Sequence, residues 1–540
     1  MKYGFIIDNR KCIGCHACTT ACKAEHEVPV GVNRTWVKQV EKGEFPHNRR
    51  LFSVMRCNHC TDAPCVEICP VEALFIRDDG IVDFDNQRCI ACKSCMQACP
   101  YDALYIDPET HTAAKCNYCA HRIDIGLEPA CVNVCPEHAI ISGDMDNPES
   151  EISVLLGREP VKVRKPEKGT IPNLFYINAD DASLVPAETT RQKDTLWSHQ
   201  ERGVGHYARA ASDMAFSNPD LVSALMEVNG QQQQSNEVNE NGKARSVDIL
   251  IGKKPRRVYD TPDKGVLWGW EVSTYVWTKA IASGVVLIPF IAWMFGWAEP
   301  NLSGQYAGLG LGILFLALTG LFLVIDLDQP KRFVYVLLRP QWRSWLPRGG
   351  YAITVYGGLL TLGVAALYFD WASPLLRWAT AMLAVLVAIY TAFLFAQAKG
   401  RDFWQSPALV LHMAVHSFMA GAAVFGVVTL FTGASAAWTE YLFAALAFSL
   451  IANLVILVLE MVTPHPTGDA HKVVDMILKG RYSKLFYLGT VLLGNFIPLG
   501  LLYGAWGNET MLAVAAIPVL LGIYITEKIW VEAPQRILLS

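Results

Sequence analysis

The chain has 540 residues, 52% of them hydrophobic, and its 46 lysines and arginines against 50 aspartates and glutamates leave a formal charge of -4. That length excludes a short disulfide-stapled secreted scaffold, and the near balance of charge excludes a strongly basic nucleic-acid-binding surface. The crowding of apolar residues into the second half excludes a wholly soluble protein.

Met1 leads straight into Lys2, Tyr3 and Gly4 without a hydrophobic stretch, so no export signal is expected. All 16 cysteines then fall between Cys12 and Cys135 in four groups of four. Cys12, Cys15, Cys18 and Cys22 have the spacing C-x2-C-x2-C-x3-C, and Cys89, Cys92, Cys95 and Cys99 repeat it. Cys57, Cys60, Cys65 and Cys69 read C-x2-C-x4-C-x3-C; Cys116, Cys119, Cys131 and Cys135 read C-x2-C-x11-C-x3-C. A [4Fe-4S] cluster takes four thiolates, three from one tight loop and a fourth from elsewhere, commonly followed by proline. Pro70, Pro100 and Pro136 follow three of the groups, and Lys23 follows the first. Zinc ribbons do not repeat this x2, x2, x3 rhythm. The string Cys12-Ile-Gly-Cys15-His16 matches a c-type haem attachment site, but Cys18 and Cys22 continue the ferredoxin run through it.

In two-cluster ferredoxins the fourth cysteine of each run ligates the other cluster. By that rule Cys57, Cys60 and Cys65 take Cys99, while Cys89, Cys92 and Cys95 take Cys69. Cys12, Cys15 and Cys18 then take Cys135, and Cys116, Cys119 and Cys131 take Cys22. Residues 1–141 are therefore expected to form an α+β ferredoxin-like double module, one module nested in the other, holding four [4Fe-4S] clusters in a line.

Residues 142–227 carry Pro166, Gly169, Pro172, Phe175, Tyr176 and Pro186 and read as a strap that covers the clusters, docks a partner, or forms a plain surface extension. Residues 228–265, with Gln231 to Gln234 followed by Ser235, Asn236, Asn239, Asn241 and Gly242, read as a flexible linker.

Residues 266–540 are expected to form an all-α membrane bundle. Apolar stretches long enough to cross a hydrocarbon core of about 30 Å recur near 267–296, 305–326, 350–368, 376–398, 407–431, 438–462, 484–505 and 510–530. Eight spans return the C-terminus to the side of the N-terminus. Connections on that side hold Lys331, Arg332, Arg339, Arg343, Arg348, Lys399, Arg401, Lys472, Lys479, Arg481 and Lys484, whereas the opposite side offers Arg377. Lys253, Lys254, Arg256 and Arg257, just before the first span, agree with that bias. Positive loops stay inside, so the cysteine-rich domain and both termini are expected in the cytoplasm, at a bacterial inner membrane.

The cysteine groups, with the x11 gap and the stretch Gly169-Thr-Ile-Pro-Asn-Leu-Phe-Tyr176, resemble the four-cluster electron-transfer subunit of complex iron-sulfur molybdoenzymes. The second half resembles the eight-helix NrfD or polysulfide-reductase type membrane subunit through Trp277 to Gly284, Asp326 to Phe333 and Glu527 to Gln535. In most relatives these modules are separate polypeptides, so the chain looks like a fusion. The resemblance implies a subunit passing electrons between a cytoplasmic catalytic partner, with a molybdenum or tungsten pterin, and membrane quinone. Among relatives, the cytoplasmic orientation points first to sulfite oxidation with quinone reduction, then to polysulfide or thiosulfate reduction. An anchor for a hydrogenase, a heterodisulfide-reductase-like partner or an ion-pumping respiratory complex is the alternative class.

The resemblance also implies quinone exchange without haem. His412 and His416 share one span and no other span offers a histidine, so a bis-histidine haem is not expected. Glu271, Tyr275 and Lys279 follow at i, i+4 and i+8 and line one face of the first span, a candidate quinone wall or proton path. A buried lysine at such depth costs about 2.5–3.5 kcal/mol on insertion scales and usually faces the bundle interior. Tyr390 in the fourth span joins these candidates, because relatives place quinone among the first four spans. Asp326 and Asp328, which close the second span, read either as proton acceptors or as partners of Lys331 and Arg332, with pairing the favoured reading. His412, His416, Glu460 and Glu527 are further polar groups in or near the spans, and the histidines are equally readable as helix-packing residues.

Overall fold

A computed structural model describes residues 1–43, 47–191, 255–371, 373–463 and 467–540. The polar tract 231–242 and Lys253 and Lys254 lie outside the described residues.

The N-terminal half is built on β1 (Tyr3–Asp8), β2 (Thr35–Lys42) and β3 (Arg49–Arg56), with hairpins of β4 (Leu74–Ile76) with β5 (Val82–Phe84) and β6 (Leu104–Ile106) with β7 (Ala113–Lys115). Strands β8 (Ile140–Asp144), β9 (Val161–Lys162) and β10 (Leu174–Ile177) join β1 in a sheet ordered β8-β1-β10-β9, where β10 runs parallel to β1. A second sheet, β11-β12-β2-β3, draws β11 (Thr190–Arg191) and β12 (Arg256–Tyr259) onto the open edge of β2. This is the expected ferredoxin-like double module, with two corrections of boundary. The expected division at residue 141 cuts β8, and the strap supplies an interior strand of the β1 sheet. Residues 256–265, expected within the linker, are ordered. β2 needs a hydrogen-bonding partner, Trp36 Nε1 donates to Asp260 at 2.8 Å, and Lys264 pairs with Asp102 at 2.6 Å.

The cysteine loops share a local conformation. The second residue after the first cysteine of each group is left-handed: Gly14 (φ 72°), His59 (φ 42°), Ala91 (φ 56°) and Tyr118 (φ 63°). For a side-chain-bearing residue that conformation costs on the order of 1–2 kcal/mol, so the surroundings must hold it in place. The strap helps at His59, where Asn173 Nδ2 donates to the His59 carbonyl at 2.6 Å and Asn173 N to the Asn58 carbonyl at 2.9 Å.

Among the described residues, eight helices are long and apolar enough to cross a membrane: Trp270–Phe295, Leu302–Ile325, Trp345–Tyr368, Pro374–Gln397, Ala408–Thr432, Ala436–Val462, Leu485–Gly504 and Glu509–Gln535. The third starts before the expected residue 350 because Ser344 caps it, its Oγ accepting from Leu346 N. The eighth runs past 530 because its last turn is covered by protein; Gln535 is 3% exposed. The first and fifth spans form the centre and touch backbone to backbone, since a Cβ on Gly284 would lie 2.0 Å from the Ser417 carbonyl oxygen. Much of the seventh, Leu485–Phe496, is wound as a π-helix, with Asn495 Nδ2 donating to the Thr490 carbonyl at 2.7 Å. Such windings recur at functional sites.

Positive connections lie on the side of the cysteine-rich domain and several grip it. Arg332 donates to the carbonyls of Asn86 and Cys89 at 2.7 and 3.0 Å, Arg401 donates to Gln97 at 2.9 Å, and Lys399 pairs with Asp62 at 3.6 Å. Gln535 completes the junction, accepting from Gln97 at 2.6 Å and from the amides of Leu267 and Trp268 at 2.9 Å each.

Candidate functional site: four thiol cages and a cavity at the membrane junction

The folded protein gathers cysteines from distant groups into cages. Cys12, Cys15, Cys18 and Cys135 line one small cavity; Cys57, Cys60, Cys65 and Cys99 line a second; Cys69, Cys89, Cys92 and Cys95 line a third. Cys22 lies beside Cys116, Cys119 and Cys131. Each cage thus takes three thiols from one group and one from another.

The donor chemistry fits iron-sulfur clusters. Burial pushes the Cys18 thiol up to about 12 against the pull of Arg56, and pushes Cys92 to the same level. Thiols so reluctant to ionise become thiolates only around a positive core. Backbone amides point at several sulfurs: Ala73 N to Cys69 and Ala139 N to Cys135 at 3.2 Å, Ala91 N and Ala113 N to Cys89 at 3.4 Å.

The cages are neighbours in succession. Cys18 of the first feels Cys131 of the next, Cys116 feels Cys57, and Cys95 feels Cys65. At one end Cys15 is exposed; at the other, the Cys92 carbonyl accepts from Trp268 Nε1 at 3.0 Å, two residues before the first span.

Beyond Cys92 the junction encloses a cavity of about 50 Å³, whose lining includes Cys92, Ser94, Trp268, Tyr275, Asp326 and Tyr390. Of the four candidates from sequence, the structure brings Tyr275 and Tyr390 to this cavity. The Tyr390 ring lies against Gly349 of the third span, where a Cβ would approach it to 2.2 Å. Lys279, one turn deeper than Tyr275, is 1% exposed; its Nζ donates to Thr391 Oγ1 at 2.6 Å and stands 4.8 Å from the centre of the Tyr390 ring. Glu271 is half-buried and is not among the lining residues.

Two pairings differ from expectation. Asp326 and Asp328 do not pair with Lys331 and Arg332 but with Lys93, at 3.8 and 3.4 Å; its Nζ also donates to the Asp326 carbonyl at 3.0 Å. The loop of Cys89 to Cys95 arrives where sequence-local partners were expected, and Arg332 turns to that loop's carbonyls. The histidines are hydrogen-bonded to neighbouring spans. His412 Nδ1 lies 3.1 Å from Glu460, His416 Nδ1 2.6 Å from Glu527, and all four side chains are buried. The i, i+4 histidines and the two glutamates are visible singly in the sequence; Trp268, Thr391, Gly349 and Lys93 carry no signal at that level.

Comparison with known proteins agrees with both halves. Residues 5–70 and 49–145 each match a family described as 4Fe-4S dicluster domain, and residues 261–531 match the family described as Polysulphide reductase, NrfD. A tetrathionate reductase subunit from Salmonella typhimurium is 46% identical over 200 residues, covering 36% of this chain and 80% of the relative. A polysulfide reductase polypeptide from Wolinella succinogenes is 42% identical over 181 residues, covering 33% and 94%. The arsenate respiratory reductase iron-sulfur subunit of Shewanella sp. is 33% identical over 227 residues, covering 33% and 97%.

Proposed function

The protein belongs to the polysulphide reductase NrfD family, with an electron-transfer iron-sulfur subunit fused to the membrane subunit, and from that premise we propose that it carries electrons between a catalytic partner and membrane quinone. The carrying observation is the shared cavity: Cys92 and Ser94 of one cysteine loop and Tyr275 and Tyr390 of two spans face the same space.

In this reading the cages hold four [4Fe-4S] clusters on the ligand sets Cys12, Cys15, Cys18 with Cys135; Cys116, Cys119, Cys131 with Cys22; Cys57, Cys60, Cys65 with Cys99; and Cys89, Cys92, Cys95 with Cys69. Such clusters, when bound, supply one-electron carriers that divide the two-electron chemistry of a quinone into single transfers. The chain's own residues do the rest. Trp268 anchors the Cys92 loop to the first span, Tyr275 and Tyr390 flank the quinone headgroup, and Lys279 donates a hydrogen bond from the deeper side. At about 50 Å³ the cavity holds a water or two, so the headgroup enters by parting its walls. Glu271 stands as a proton-path candidate at the start of the same helix.

The exposed loop of Cys15 is the docking end for a catalytic subunit with a pterin-bound molybdenum or tungsten. Positive connections on the cluster side support a cytoplasmic location for that partner, in a bacterial inner membrane. That orientation favours sulfite oxidation with quinone reduction. Polysulfide or thiosulfate reduction is the second reading, favoured by the sulfur substrates in the names of two relatives. Affinity purification from native membranes tests both: the co-purifying subunit should contain molybdenum or tungsten, and its activity on sulfite or polysulfide decides between them. A hydrogenase in its place would refute the proposal.

A further inference from the structure

Arg56 closes β3 one residue before Cys57, and its side chain is fully buried. The guanidinium stands 4.5 Å from the centre of the Phe5 ring and donates from Nη1 to Cys131 Sγ at 3.1 Å. Its charge acts on Cys131, Cys116 and Cys18. It therefore lies between the cage of Cys12, Cys15, Cys18 and Cys135 and the cage of Cys22, Cys116, Cys119 and Cys131.

Two of its nitrogens, Nε and Nη2, have no hydrogen-bond partner, and no carboxylate among the described residues pairs with it. A buried guanidinium without a counter-charge is strongly unfavourable, and arginine cannot escape by losing its proton. Lys115, whose charge acts on Cys116 of one cage and on Cys57 and Cys65 of the next, differs: its Nζ is hydrogen-bonded to the carbonyls of Val82 and Cys116. The groups on which the Arg56 charge acts are thiols of both cages, Cys18 of one and Cys116 and Cys131 of the other. Four thiolates around a cluster leave a net negative charge, and each added electron increases it. A fixed cation beside the cage stabilises the reduced form more than the oxidised one and so raises the potential.

We propose that Arg56 is the shared counter-charge of these two clusters and raises the reduction potential of both, holding electrons in the half of the relay farther from the membrane. This rests on the ligand sets proposed above, and the two can fail separately.

The test is anaerobic potentiometric titration of the full-length protein, followed by EPR, for wild type, Arg56→Gln and Arg56→Lys. Wild type with far less than about sixteen iron atoms per chain would sink the ligand sets themselves. With full iron, Arg56→Gln should move two of four midpoints to more negative values, well beyond the scatter of repeat titrations, and leave the other two in place. Four unmoved midpoints, or four moved equally, would overturn the role of Arg56. Should the Gln variant fail to load iron, Arg56→Lys decides: the retained charge should restore loading and keep both midpoints near wild type. A Lys variant that fails to load, or loads with both midpoints fallen, overturns the charge as the operative property.

Discussion

Changing Lys279 to methionine keeps the side chain's length and removes its charge, which makes it the sharpest probe of the junction cavity. Lys279 is 1% exposed, and its Nζ lies 2.6 Å from Thr391 Oγ1 and 4.8 Å from the centre of the Tyr390 ring. A hydrogen bond from a charged donor is worth about 1.5–3 kcal/mol, and about 1.4 kcal/mol changes a rate tenfold. If Lys279 makes that bond to the quinone in the rate-limiting step, the variant should exchange electrons with quinone roughly 10- to 150-fold more slowly. The fold should be little affected, because Lys279 makes no ion pair within 4.0 Å among the described residues, methionine fills nearly the same volume, and an uncharged side chain carries no desolvation cost. The assay reduces the purified protein chemically, adds a short-chain quinone analogue, and follows the return of the visible cluster absorbance by stopped flow. Re-oxidation at the wild-type rate, with all four clusters intact by EPR, would remove Lys279 from the quinone reaction.

Cys92→Ser should lower iron by about four atoms per chain and abolish re-oxidation by quinone while three clusters still accept electrons from dithionite, as read by iron analysis and EPR. Gly284→Val places side-chain carbon against the Ser417 carbonyl and should destabilise the bundle by about 1–3 kcal/mol or more in a detergent thermal melt. Gly310→Ala, with nothing within 4 Å, should melt as wild type does. His416→Leu leaves Glu527 buried without its 2.6 Å partner and should cost about 3–5 kcal/mol. Adding Glu527→Leu should recover much of that loss; a double variant as unstable as the single one would refute the pairing argument.

The parts legible in the sequence are those whose physics is local. Three thiols of a cluster come from one loop, so the spacings of Cys12 to Cys22 and Cys89 to Cys99 announce the cages. A span must be apolar over about 20 consecutive residues, so eight of them stand out in order. Locality also explains the differences. Residues 256–265 resemble linker because β12 contributes only four residues, and its partner β2 lies more than 200 positions earlier. For Asp326 the nearest cations in sequence are Lys331 and Arg332, whereas Lys93 reaches it across 233 positions. The third and eighth spans look short because protein rather than lipid covers Ser344 and Gln535, and hydropathy measures only lipid.

Composition and spacing by themselves determined the kind of machine: sixteen thiols in four cluster-forming groups, then a bundle of eight helices, since ligand reach and bilayer thickness act over a few to a few dozen neighbouring residues. Only the tertiary structure decided the order of the cages, the placement of Arg56 between two of them, and the meeting of Cys92 with Tyr275 and Tyr390. Those depend on which surfaces bury one another, and burial sums weak contacts between segments that no local pattern joins.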